Sequence, residues 1–66
     1  MNSKELIIKA VKHRKELGIT QKELALKTGL SQQAISSLER CEREPRLSNL
    51  LKYLEGIEIN VEKIFD

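Results

Sequence analysis

Apolar residues recur along this chain at spacings of three and four. Leu6, Ile7, Ala10, Val11 and Leu17 fall on one broad arc of a helical wheel, the mark of an amphipathic helix. Asn2 or Ser3 can cap it, Asn2 with Glu5 at the capping-box offset, and Gly18 can end it. The pattern predicts a helix over about 3–17. Leu47, Leu50, Leu51 and Leu54 repeat at i, i+3, i+4 and i+7, with Tyr53 at their flank, and predict another over about 47–56. Gly56 is one candidate stop for it. Pro45 closes the loop before it, because the residue preceding a proline avoids the helical region. In the tail, Asn60 can cap a last short helix over about 61–65 that carries Val61, Ile64 and Phe65.

Between these lies the most strongly punctuated stretch, TQKELALKTGLSQQAISSLER, from Thr20 to Arg40. Thr20 and Glu23 make a T-x-x-E capping box, which fixes a helix start. Gly29 stands where that helix must stop, since glycine enters the left-handed region without strain. Ser31 is a second N-cap. Helices over about 21–28 and 32–40 follow, so close in sequence that they must cross steeply. Leu24, Ala25 and Leu30 can share one interior with Ile35 and Leu38, and Ala25 is small where the two helices approach. The outward side of the second helix carries Gln33, Ser36, Ser37 and Arg40, with no acid among them. Amides, hydroxyls and a guanidinium are the groups that read base edges and phosphates.

Two charges sit on inward faces. Arg14 lies inside the apolar arc of the first helix, and Glu39 lies beside Ile35 and Leu38. A buried guanidinium needs a carboxylate, so the two are expected to pair.

Charge adds a direction. Residues 1–22 carry six Lys and Arg against two Glu, whereas residues 47–66 carry two Lys against four acids. A basic front and an acidic rear orient a molecule toward a polyanion. Size and composition narrow the class. A chain of 66 residues is one small domain, burying only roughly 60% of its unfolded surface. The single cysteine, Cys41, excludes an internal disulfide and suits a reducing cytoplasm. One His and one Cys cannot make a zinc site of usual ligand number. No signal peptide and no apolar run near the ~20 residues of a membrane span is present. Paired carboxylates in a cleft, a nucleophile with its base and a glycine-rich phosphate loop are all missing from the pattern, so neither an enzyme nor a cofactor is expected.

The stretch from Thr20 to Arg40 resembles the helix-turn-helix of the Cro/phage-repressor type, the XRE family. Gln21, Leu24, Ala25, Gly29, Leu30, Ser31, Ile35, Ser36, Leu38 and Glu39 carry the match, which continues to Pro45 and more loosely to Phe65. The resemblance implies an all-α, five-helix, lambda-repressor-like bundle spanning 1–66. It implies a sequence-specific transcriptional regulator that binds double-stranded DNA, as a homodimeric repressor on a near-palindromic operator. Base contacts would fall on Gln32, Gln33 and Ser37, with Ser36 close by. Gln21 would anchor the DNA backbone, Arg43 and Arg46 would reach flanking phosphates, and Lys22 and Arg40 would assist. The family also pairs the positions of Arg14 and Glu39. The tail holds Ile57, Ile59, Val61, Ile64 and Phe65, more apolar surface than one short helix needs. It is read as a two-fold interface, as in similar stand-alone domains. The alternative is an antitoxin, or another module of the same fold, whose main partner is a protein such as a toxin. The chain departs from the family pattern at His13, at Cys41 and Glu58 in place of terminating Gly, and at Gly56 in place of Ala.

Overall fold

A computed structural model describes residues 2–57. Among the described residues the chain forms four α-helices and no strand. They are α1 (Ser3–Glu16), α2 (Gln21–Thr28), α3 (Gln32–Glu39) and α4 (Leu47–Gly56). The fifth helix expected over 61–65 lies outside the described residues. None of the four is long and apolar enough to cross a membrane.

Local chemistry sets the ends. The Asn2 side chain, not Ser3, caps α1 by accepting from the Glu5 amide at 2.8 Å. The helix ends at Glu16, one residue short of the expected limit, and Gly18 follows at φ 75°. The Gly18 and Ile19 amides donate back to Lys15 and Arg14 carbonyls at 3.1 and 3.2 Å. This paired bonding is a Schellman stop, which supplies partners to the last carbonyls. At α2 both halves of the capping box are made: Glu23 N–H to Thr20 Oγ1 at 3.0 Å and Thr20 N–H to Glu23 Oε1 at 3.3 Å. Gly29, at φ 79°, ends α2, and Ser31 Oγ caps α3 by accepting from the Ala34 amide at 3.0 Å.

The core is one cluster drawn from every helix. It contains Leu6, Ile7 and Ala10 of α1, Leu24 of α2, Ile35 and Leu38 of α3, and Leu50, Tyr53 and Leu54 of α4, closed by Ile57. Burying each large aliphatic member contributes about 1.5–3 kcal/mol.

Three apolar assignments change. Leu17 is the C-cap of α1 and is exposed: it keeps helical backbone angles but lies past the last α1 residues that the core covers. On α4 the buried stripe is Leu50, Tyr53, Leu54 and Ile57, with Tyr53 fully buried, while Leu47 is 69% exposed and Leu51 also faces outward. Both stripes obey helical spacing; the packed one is rotated so that the aromatic ring fills the centre. Ile57, expected at a two-fold interface, is wholly inside the core of its own chain and is not available to a partner.

Ala25 is half-buried, and α4 meets α2 closely at Gly56. A Cβ on Gly56 would stand 2.5 Å from Thr28 Cγ2 and 2.6 Å from Leu24 Cδ1. Gly56 is the last residue of α4 and has no positive φ, so its role is close approach rather than chain termination.

Candidate nucleic-acid interface

The outer face of α3 stands on a polar node. Glu39 turns inward, and its two oxygens accept four hydrogen bonds. Arg14 Nε and Nη2 donate at 2.6 and 3.0 Å, Gln21 Nε2 at 2.8 Å and the Tyr53 hydroxyl at 2.5 Å. The three donor residues lie on α1, α2 and α4, so one carboxylate on α3 joins all four helices. Arg14 is only 7% exposed and also gives Nη1 to the Ile19 carbonyl at 2.7 Å. No buried side-chain nitrogen or oxygen among the described residues lacks a partner, as a polar cluster in a core requires.

The titrations follow from this geometry. Burial alone would raise the Glu39 carboxyl, but the bonds from Arg14, Tyr53 and Gln21 outweigh it and hold it below the usual glutamate value. Burial would lower the Arg14 guanidinium, and the Glu39 bond and charge reverse that. The Tyr53 phenol is pushed well above its ordinary range by burial first and by the Glu39 carboxylate second.

With α3 fixed, its exposed residues define the surface. Gln32 and Gln33 occupy its first turn, and both are exposed. Lys22 on α2 and Arg43 and Arg46 on the α3–α4 loop are exposed as well. Arg43 and Arg46 line a shallow groove with Ala34 and Ser37 of α3 and Asn49 of α4. These five of the nine expected DNA-contacting residues are therefore exposed; Arg40 is exposed too, but is held by its neighbours.

The other four are arranged differently from the sequence expectation. Gln21 is half-buried and its amide nitrogen is engaged by Glu39. What α2 offers a phosphate at that point is its N-terminal turn, whose first amides have no intrahelical carbonyl to serve. Ser36 and Ser37 are half-buried, and Arg40 is folded along the helix rather than extended from it. Its Nη1 donates to Ser36 Oγ at 2.9 Å and its Nε to Glu42 Oε1 at 2.7 Å. Ser37 Oγ donates to Glu42 Oε2 at 3.5 Å. The outer face is thus not free of acid: Glu42, from the loop, lies across its last turn. Cys41 causes this. It adopts φ 55° after α3 has ended at Glu39, where a left-handed glycine would normally stand. Its amide donates to the Leu38 carbonyl at 3.1 Å and its side chain packs against the core. Sequence flagged the residue; only the turn it makes reveals where Glu42 goes.

No group of three or more His, Cys, Asp or Glu that could hold a metal is found among the described residues.

Two short helices joined through a left-handed glycine, the second presenting a polar turn on a buried node, define a helix-turn-helix protein. The chain belongs to the XRE-type helix-turn-helix family, whose profile, described as "Helix-turn-helix", matches residues 12–64. It is 38% identical over 47 residues to an uncharacterized HTH-type transcriptional regulator, y4dJ, of Sinorhizobium fredii, covering 71% of this chain and 61% of that protein. It is 51% identical over 35 residues to an uncharacterized HTH-type transcriptional regulator of Methanothermobacter thermautotrophicus, covering 53% of this chain and 51% of that one. The matches thus span only about half to three-fifths of these relatives. No solved structure matches the chain at a significant level.

Proposed function

We propose that this chain is a transcriptional regulator that binds double-stranded DNA sequence-specifically, as a homodimeric repressor reading a near-palindromic site. The observation that carries the reading is the exposed Gln32–Gln33 turn at the N-terminal end of α3, on a helix that Glu39 fixes to the rest of the fold. The N-terminal residues of such a helix contact base edges when it lies in the major groove. A Gln amide donates and accepts together, which matches adenine N6 and N7. Ser37 adds a short contact, direct or through water, and Ser36 lies beside it. Arg43, Arg46 and Lys22, with the first amides of α2, seat the protein on phosphates. Dimerisation is assigned to Ile59, Val61, Ile64 and Phe65, on the strength of their apolar character. It would set two α3 helices about 34 Å apart.

The test is binding to DNA from upstream of the protein's own gene, measured by anisotropy at physiological salt against non-specific competitor. Gln33→Ala should weaken cognate binding by about 1–3 kcal/mol and leave non-specific binding unchanged. Arg43→Ala should weaken both and flatten the slope of log affinity against log salt by about 0.9. If the two variants behave alike, the division of roles is wrong. If the wild type prefers no DNA, the function is wrong.

A further inference from the structure

Glu42 has no part in the binding surface as the sequence presents it, yet it occupies that surface. The left-handed turn at Cys41 sends the chain back over the last turn of α3. The Glu42 carboxylate then takes Arg40 Nε on one oxygen at 2.7 Å and Ser37 Oγ on the other at 3.5 Å. Arg40 in turn holds Ser36 Oγ at 2.9 Å. Three of the outward polar groups of α3 are closed into one network with a negative charge at its centre.

We propose that Glu42 is an acidic latch that keeps Arg40 from DNA phosphates until α3 is fully seated, and so confines the Arg40 phosphate contact to the cognate complex and holds down affinity for all DNA. The inference rests on the DNA-binding reading above. Its physics is competition. Arg40 and Glu42 side chains are 57% and 52% exposed, so the pair is wet, weak and exchangeable. A phosphate reaching Arg40 must displace a carboxylate, and the carboxylate repels it meanwhile. Non-specific binding consists almost wholly of phosphate contacts, and in a loosely seated complex nothing offsets that exchange. In the cognate complex, base contacts by Gln32 and Gln33 hold α3 deep in the groove, and Arg40 changes partner there.

The experiment compares wild type, Glu42→Gln, Arg40→Ala and the double variant on cognate and scrambled duplexes across a salt series. Glu42→Gln keeps the shape and removes the charge. Its affinity for scrambled DNA should rise about two- to fivefold, the worth of one exposed ion pair. Its salt slope on scrambled DNA should steepen by about 0.9, one added phosphate contact. On cognate DNA the affinity should rise at least as much, because the ion pair that wild type breaks there is gone, while the salt slope stays near wild type because Arg40 already meets a phosphate. In the Arg40→Ala background, Glu42→Gln should change nothing. An unchanged scrambled-DNA affinity overturns the latch. So does a gain of equal size in the Arg40→Ala background, which would make Glu42 a general repulsive charge. A wild type that binds no DNA overturns the latch and the proposed function together, whereas a wild type that binds while Glu42→Gln copies it overturns the latch alone.

Discussion

Glu39→Gln is a conservative change that strikes the polar node directly. The amide has the volume of the carboxylate but replaces one acceptor oxygen with a donor. Glu39 receives four donor contacts from Arg14, Gln21 and Tyr53. In the variant at least one of these must face an NH2 group. Arg14 keeps its charge with no counterion, in a site where the paired side chains are 9% and 8% exposed. Removing one partner of a buried pair costs about 3–5 kcal/mol. A chain of this length has roughly 3–10 kcal/mol of total stability, so the variant should lose a large share of it. Urea titration followed by circular dichroism measures this directly, with the shift in midpoint at constant slope giving the loss. A loss below about 1 kcal/mol would refute the reasoning, because it would mean that the node is solvated. The acid limb offers a second reading of the same quantity. The folded carboxyl lies below its usual value, so its contribution is complete above the unfolded glutamate value of about 4.3. It is lost as pH falls through the folded value. Glu39→Gln should lack that component of the acid transition.

Two further changes probe the same packing from other sides. The Tyr53 phenol is raised, so its stabilisation is complete below about pH 10 and fades as pH rises through the folded value. Because Tyr53 is the sole tyrosine, absorbance near 295 nm reports it alone; phenolate should appear only together with loss of helix signal, and earlier ionisation would contradict its burial. Gly56→Ala should destabilise by about 1 kcal/mol, since overpacking costs about 1–3 kcal/mol and exceeds the propensity gained at a helix end. The Thr28 methyl that blocks the new Cβ cannot turn away freely, because Thr28 Oγ1 is bonded to the Leu24 carbonyl and the Leu30 amide at 2.8 and 3.2 Å; a raised melting temperature would show that it yields.

What the sequence makes legible here is what is decided locally or by a conspicuous conflict. The Thr20–Glu23 box, Gly29 and Ser31 each act within three residues, so their consequences for α2 and α3 can be read without knowing the fold. Arg14 and Glu39 are legible for the opposite reason: each is out of place on an apolar face, and each supplies what the other lacks. The donors that complete the node, Gln21 and Tyr53, are ordinary surface-compatible residues, and nothing but packing turns them inward. The α4 stripe is ambiguous because Leu47 and Leu51 extend the apolar arc past what the core accepts, leaving the choice of face to tertiary fit. Glu42 was invisible as a neighbour of Ser37 because that contact depends on one left-handed residue.

The sharing of Glu39 among four helices also governs how α3 can move. To tilt, α3 must withdraw Glu39 from Arg14, Gln21 and Tyr53 at once, and that exposes the core those side chains cover. Local opening of α3 therefore coincides with opening of the whole fold, and its central amides should exchange with solvent hydrogen no faster than the molecule unfolds. A helix held this way does not readily adapt its backbone to a partner. On the proposed function, accommodation between related sites is left to the exposed Gln32 and Gln33 rotamers and to bending of the DNA, so that duplex stiffness enters the recognition energy.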